Sequence, residues 1–281
     1  MNTNITQEEL SKRHSDLESG RLREVTGTNV VDEIHISRYR FAMQFTNGKT
    51  LLDIASGIGY GSFMLADTGK AKSVTGVDIS QAPIMEAKTK YKRDNLRFEV
   101  ISPDKLPFDD ASFDVITSYE TVEHTYDRTV FLKELRRVLK SGGMLIISTP
   151  NKRYHSIGKK VPWNPNHTVE YYPVEFKKVL SGVFPQIEFW GGQEFLPINL
   201  SPVLKYNWIE FKYYNINNSK MFMSVLGPIR SIRNNKSAPN IAQQSDPATQ
   251  QQNTEIFRKR ADIVPWVDNC EPYTMVAVCK K

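Results

Sequence analysis

The stretch "SYETVEHTYDR", residues 118–128, sets Glu120, Glu123 and His124 directly behind the apolar run "FDVIT". In a helical segment these three share one face, at i, i+3 and i+4. Three chemistries suit that arrangement. The side chains can cap a short helix and bond internally. His124 can act as a general base oriented by Glu123, because a neutral imidazole titrates near working pH. Alternatively, E-x-x-E-H can hold a divalent cation that polarises a hydroxyl. Downstream, "NPNHTVEYYPVEF" supplies His167, a fourth candidate ligand beside Glu120, Glu123 and His124. Mg²⁺ or Mn²⁺ is the expected ion, and ligand softness also admits Zn²⁺ or Co²⁺.

A second pattern is "LLDIASGIGYGS", which sets Gly57, Gly59 and Gly61 between a strand and a helix. Glycines there allow a tight turn and a close backbone approach to a ligand. Asp53 stands inside the end of that strand, and Asp78 ends the next one. An acidic residue about 20 positions beyond such glycines can take a ribose diol. The dinucleotide fingerprint G-x-G-x-x-G needs glycine or alanine at position 62, where this chain has Ser62.

The elements that must carry these residues alternate. "TLLDIAS", "SVTGVDIS", "LRFEVIS", "FDVITSY" and "GGMLIISTP" read as five strands. "APIMEAKTKYKR" and "TVFLKELRRVLKSGG" read as helices between them, the latter with Phe131, Leu135 and Leu139 on one face. Ser141-Gly142-Gly143 is expected to end that helix. Strands alternating with helices imply a mostly parallel sheet covered on both faces, with ligands at the C-terminal edge. His167 then lies in a loop after the fifth strand, on the same edge as Glu120. "VEFKKVLSGVF" reads as a short helix, "QIEFWGGQEF" as a sixth strand and "PYTMVAVCKK" as a final one.

Four segments follow: a helical cap over 1–48, a core over 49–195, an insertion or lid over 196–254, and a closing part over 255–281. The insertion is aromatic-rich, with Leu204, Trp208 and Phe211 at helical spacing, and ends in a Gln-rich stretch. The 281 residues are 40% hydrophobic and 24% charged, ordinary for a globular protein. Residues 151–281 carry 17 Lys+Arg against 10 Asp+Glu, although the whole chain is only +6. That excess favours an anionic partner, but its dispersion disfavours nucleic acid. No apolar run suits a membrane span and the first residues are polar, so neither a span nor a signal peptide is expected. Cys270 and Cys279 form no framework, which fits a reducing, cytoplasmic setting.

G-x-G-x-G with an upstream Asp resembles the loop of class I S-adenosylmethionine (SAM) methyltransferases. "EIHISRYRFAMQFTNGKTLLDIASGIGYGS", "LPFDDASFDVITSYETVEH" and "LKELRRVLKSGGMLIISTPN" resemble a branch of ubiquinone-type and sugar-modifying O-methyltransferases. The resemblance spans roughly residues 30–195 and the final strand. It implies a seven-stranded, Rossmann-like α/β sandwich, mostly parallel, with an antiparallel last strand. It also implies that Asp53 and the amides around Ala55, Gly57 and Gly59 face the methionine part of SAM. Asp78 would hold the ribose, Ile79 pack on adenine, and Tyr119 lie against the cofactor, with Arg38 and Tyr39 closing over the site.

Two positions depart from the branch. Ser56 replaces a common cysteine, and Ile101-Ser102-Pro103 replaces a common Gly-Asp-Ala, so adenine recognition would fall to Ser102 or Asp104. E-x-x-E-H with a downstream His167 also resembles the metal site of small-RNA 2′-O-methyltransferases. The expectation is methyl transfer to a hydroxyl of a small molecule or glycan, most readily a sugar, by a chain that can form a homodimer. An RNA 2′-O-methyltransferase and a non-catalytic SAM-binding protein are the alternatives.

Overall fold

The computed structural model describes residues 30–102, 105–192, 263–265 and 272–281. All of them belong to one compact unit, Met1–Glu194 with Phe257–Lys281. The expected insertion, the Gln-rich stretch, Asp104 and Cys270 lie outside the described residues.

Helix α1 (Val30–Ala42) runs through a 3-10 turn into β1 (Thr50–Ile54), α2 (Tyr60–Asp67), β2 (Ser73–Asp78), α3 (Gln81–Lys90) and β3 (Leu96–Val100). β4 (Phe113–Tyr119), a 3-10 turn (Val122–His124), α4 (Arg128–Val138) and β5 (Leu139–Pro150) follow. α5 (Lys152–His155), α6 (Pro173–Ser181), β6 (Gln186–Gly192), β7 (Ile263–Pro265) and β8 (Thr274–Lys280) complete the order.

The strands form one sheet in the order β3-β2-β1-β4-β5-β8-β6-β7. β3, β2, β1, β4 and β5 are parallel neighbours, and β8 runs antiparallel between β5 and β6. This is the expected seven-stranded sandwich with one addition. β7 pairs antiparallel to the outer edge of β6, Trp190 opposite Pro265. Its three residues are too few to leave a period-two signal.

Alternation along the strands splits the core between the two faces. Leu51, Val115, Ile146 and Val276 pack on one side with Tyr39 and Leu65. Leu52, Ile116, Ile147 and Ala277 pack on the other with Phe131, Leu135 and Phe176. Phe131, Leu135 and Leu139, the expected stripe, are all fully buried.

Gly142 and Gly143 do not end α4. The helix stops at Val138, and Leu139 is already extended (φ −70, ψ 139). Leu139 pairs with Phe113, and pairing resumes at Met144 with Val115. The intervening residues loop out around Gly142, whose φ of 73 only glycine adopts readily. Burial of the Leu139 side chain in the sheet overrides the helix-end signal.

Among the described residues no helix is long and apolar enough to cross a membrane. The C-terminal ends of β1, β2 and β4 deliver Ala55–Gly59, Asp78–Ser80 and Tyr119–His124 to one edge of the sheet, where α/β sheets bind ligands.

Candidate functional site

The glycine turn is built on backbone that other residues resist. Gly57 and Gly59 have φ of 54 and 82, and Ala55 between β1 and the turn has 56. A Cβ at Gly59 would sit 2.7 Å from Ala87 and Phe98. One at Gly61 would fall 1.9 Å from the Tyr39 ring. The third glycine therefore answers to α1: Tyr39 lies across it, edge-on to Tyr60 and Tyr119 at 5.5 and 5.0 Å.

Asp53, expected to face a ligand, is turned inward instead. It is fully buried and accepts from Ser62 Oγ at 2.6 Å, Thr117 Oγ1 at 2.7 Å and Tyr39 OH at 3.3 Å. Three hydroxyl donors around one carboxylate explain the orientation. Burial raises its pKa from the ordinary 3.8 to about 6, against the hydrogen bonds of Ser62, Thr117 and Tyr39. A carboxyl whose folded pKa is raised contributes stability below its unfolded pKa and loses it as pH rises through the folded value. Wild-type stability should thus fall between about pH 4 and pH 6 relative to Asp53→Asn. Denaturant melts of both proteins across that window check this, and parallel curves would contradict it.

Asp78 is buried at the end of β2, its Oδ2 accepting from Gly57 N and its Oδ1 from Ser80 N, each at 2.9 Å. It thereby ties the glycine turn to β2. Ile79 beside it is 41% exposed. Ser102 is exposed at the same edge. Tyr119 is buried and donates to the Arg38 carbonyl at 3.0 Å. Arg38 is itself buried and donates to Thr274 Oγ1 at 3.1 Å.

Glu120 departs from the expected four-ligand cluster. Its φ of 50 is unfavourable for a non-glycine residue. That backbone sends its carboxylate to Ser148 Oγ at 2.7 Å and Arg38 at 3.5 Å. Burial opposes its charge, but the Arg38 guanidinium and the Ser148 hydroxyl prevail and hold its carboxyl below the usual range.

Glu123, His124 and His167 do converge. One ligand atom of each lies within 4.8 Å of the other two. The 3-10 turn brings Glu123 and His124 to the loop carrying His167, because the Glu123 carbonyl accepts from Thr168 N at 2.7 Å. The two imidazoles meet edge to face at 4.8 Å. His124 Nδ1 pairs with the Asn166 carbonyl at 2.9 Å, which makes Nδ1 the protonated nitrogen and Nε2 the lone-pair donor. His167 Nδ1 pairs with Glu170 Oε1 at 2.8 Å, fixing the same tautomer, and its Nε2 lies 3.0 Å from Asn164 Nδ2.

Glu123 is fully buried, and Thr149 Oγ1 donates to its Oε2 at 2.9 Å. Its Oε1 has no hydrogen-bond partner among the described residues. Burial and the neighbouring Glu120 charge push its carboxyl well above the usual range. The partnerless Glu123 oxygen and His124 Nε2 fit a cation of borderline softness, and His167 Nε2 would join them on releasing the Asn164 amide. The sequence reading did not name Glu170, although "HTVE" spaces it three residues from His167. Ser148, Thr149 and Thr117 carried no spacing signal, because strand pairing alone brings them in.

Residues 52–147 match the family described as a methyltransferase domain. A probable S-adenosylmethionine-dependent methyltransferase of Mycolicibacterium smegmatis is 34% identical over 141 residues, 50% of this chain and 53% of that protein. The erythromycin 3''-O-methyltransferase of Saccharopolyspora erythraea is 34% identical over 110 residues, 38% of this chain and 36% of that protein. The chain thus spans about half the length, or less, of these curated relatives. A Thermotoga maritima SAM-dependent methyltransferase structure aligns at TM-score 0.54 and 16% identity, covering 90% of this chain and 91% of that one. At that identity it speaks for the fold alone. The match over residues 52–147 marks a methyltransferase domain within this chain, and the glycine turn and the sheet order agree with it.

Proposed function

We propose that this protein transfers a methyl group from SAM to a hydroxyl of a small molecule or glycan, a sugar hydroxyl first among them. The observation that carries the oxygen acceptor is the convergence of Glu123, His124 and His167 at the end of β4. Bound SAM supplies an electrophilic methyl on a sulfonium. The acceptor oxygen bonds to that carbon, the carbon–sulfur electron pair stays on sulfur, and the hydroxyl proton passes to solvent.

In this reading Asp78 takes the ribose diol, the close backbone of Gly57 and Gly59 lies against the methionine part, and Ile79 covers the adenine. Tyr119 and Arg38 close the side formed by α1, Ser102 lies toward the adenine, and Asp53 braces the turn from within. Glu123, His124 and His167 would hold a divalent cation, which would supply Lewis acidity toward the acceptor hydroxyl. The basic C-terminal half suits an acidic or nucleotide-linked acceptor in a cytoplasmic setting. One relative being an O-methyltransferase supports the oxygen acceptor.

Calorimetric titration with SAM, then turnover over nucleotide sugars, free glycans and short RNAs, tests the reading. Saturable SAM binding and a methyl ether on a sugar product are expected. Absence of SAM binding, or methylation confined to nitrogen or carbon, would sink it. Methylation of RNA 2′-hydroxyls with a steep salt dependence would favour the RNA alternative.

A further inference from the structure

We propose that residues 152–163, between β5 and the loop carrying His167, form a docking surface for an anionic lipid bilayer. Among the described residues nine large apolar side chains are exposed, and three of them, Ile157, Val161 and Trp163, fall within seven consecutive positions. Val161 is 74% exposed, so nothing in the described fold uses it. Ile79, by contrast, has a place beside the cofactor edge.

The same stretch is strongly cationic. Lys152, Arg153, Lys159 and Lys160 lie in it, and no Asp or Glu occurs from 152 to 169. Lys159 Nζ sits 3.8 Å above the Trp163 ring. An apolar tip with several lysines, one of them stacked on an aromatic ring, is the composition of an interfacial anchor, in which the ring enters the headgroup layer and the ammonium groups meet lipid phosphates. A soluble anionic ligand would account for the lysines but not for Ile157 and Val161.

The tip is also built rather than loose. Ser156 Oγ accepts from Trp163 N at 2.8 Å and closes the loop. Gly158, at φ 71, turns it, and its N–H donates to Tyr172 OH at 3.1 Å. His167 follows Trp163 by four positions, at most about 14 Å of chain. A bilayer held at the tip would therefore present a membrane-resident acceptor to the edge where Glu123, His124 and His167 converge.

Vesicle sedimentation with the full chain tests this without any need for turnover, so its failure and that of the methyl-transfer reading are separate results. Phosphatidylglycerol-containing vesicles should bind the wild type at low salt, and phosphatidylcholine vesicles should bind weakly. Lys159→Gln with Lys160→Gln should lower binding about 30-fold, roughly fivefold per lysine. Trp163→Ser should weaken binding even at low salt. Unchanged melting temperatures would show that these exposed changes leave the fold intact. No binding, equal binding to both vesicle types, equal binding by the variants, or retention on RNA but not on vesicles would each overturn the proposal.

Discussion

His124→Ala and His167→Ala should each lower methyl transfer by roughly 10²–10⁴-fold, the usual scale for losing assistance to proton removal. SAM affinity should remain near wild type in both, because neither residue reaches the glycine turn or Asp78. A chelator should reproduce the loss, and Mn²⁺, Co²⁺ or Zn²⁺ should restore it in the wild type but not in the variants. Glu170→Gln should lower metal affinity about 10–100-fold, since Glu170 orients the His167 ring at 2.8 Å. Glu120→Gln separates two ligand sets. If the four residues of the sequence pattern bind together, it should weaken the metal as His124→Ala does. If Glu120 belongs to Ser148 and Arg38, metal affinity should stay intact and thermal stability should fall instead. Turnover that survives both chelation and His167→Ala would show that the reaction needs no metal.

That contrast marks where spacing stops being informative. Glu120, Glu123 and His124 are neighbours in sequence, and i, i+3, i+4 logic groups them. The chain leaves β4 through a left-handed residue at Glu120 and forms only a short 3-10 turn, so Glu120 points elsewhere. Nothing local encodes this; it follows from Arg38 and Ser148, held by α1 and β5. Asp53 illustrates the same point from inside the sheet. Its place in the motif was legible, but its inward orientation depends on Thr117, paired with it across β1 and β4. The alternating strands, by contrast, were readable because each is a short apolar run and the sheet buries both faces. The double glycine after α4 misled because its helix-end signal is local and the burial of Leu139 is not. His167 stands on the same sheet edge as Glu123 and His124, since a loop after β5 emerges there.

Asp78→Ala should reduce SAM affinity by about 10²–10⁴-fold, the largest effect expected of any single change on the cofactor side. A hydrogen bond to a charged group contributes about 1.5–3 kcal/mol, and a ribose diol offers two of them. A carboxylate accepts at about four lone-pair positions, so holding the amides of Gly57 and Ser80 does not prevent it from also taking the diol. The amides make the change doubly costly. Without the carboxylate, two N–H groups at the turn lose their acceptor, which costs roughly 1–3 kcal/mol for each one left unsatisfied. The melting temperature should therefore fall together with affinity. A cofactor analogue lacking both ribose hydroxyls separates the two effects. The wild type should bind it far more weakly than SAM, whereas Asp78→Ala should bind both alike, because the partner of the diol is already gone. If the variant still discriminates between SAM and the analogue as strongly as the wild type does, Asp78 only staples the glycine turn to β2 and another residue reads the ribose.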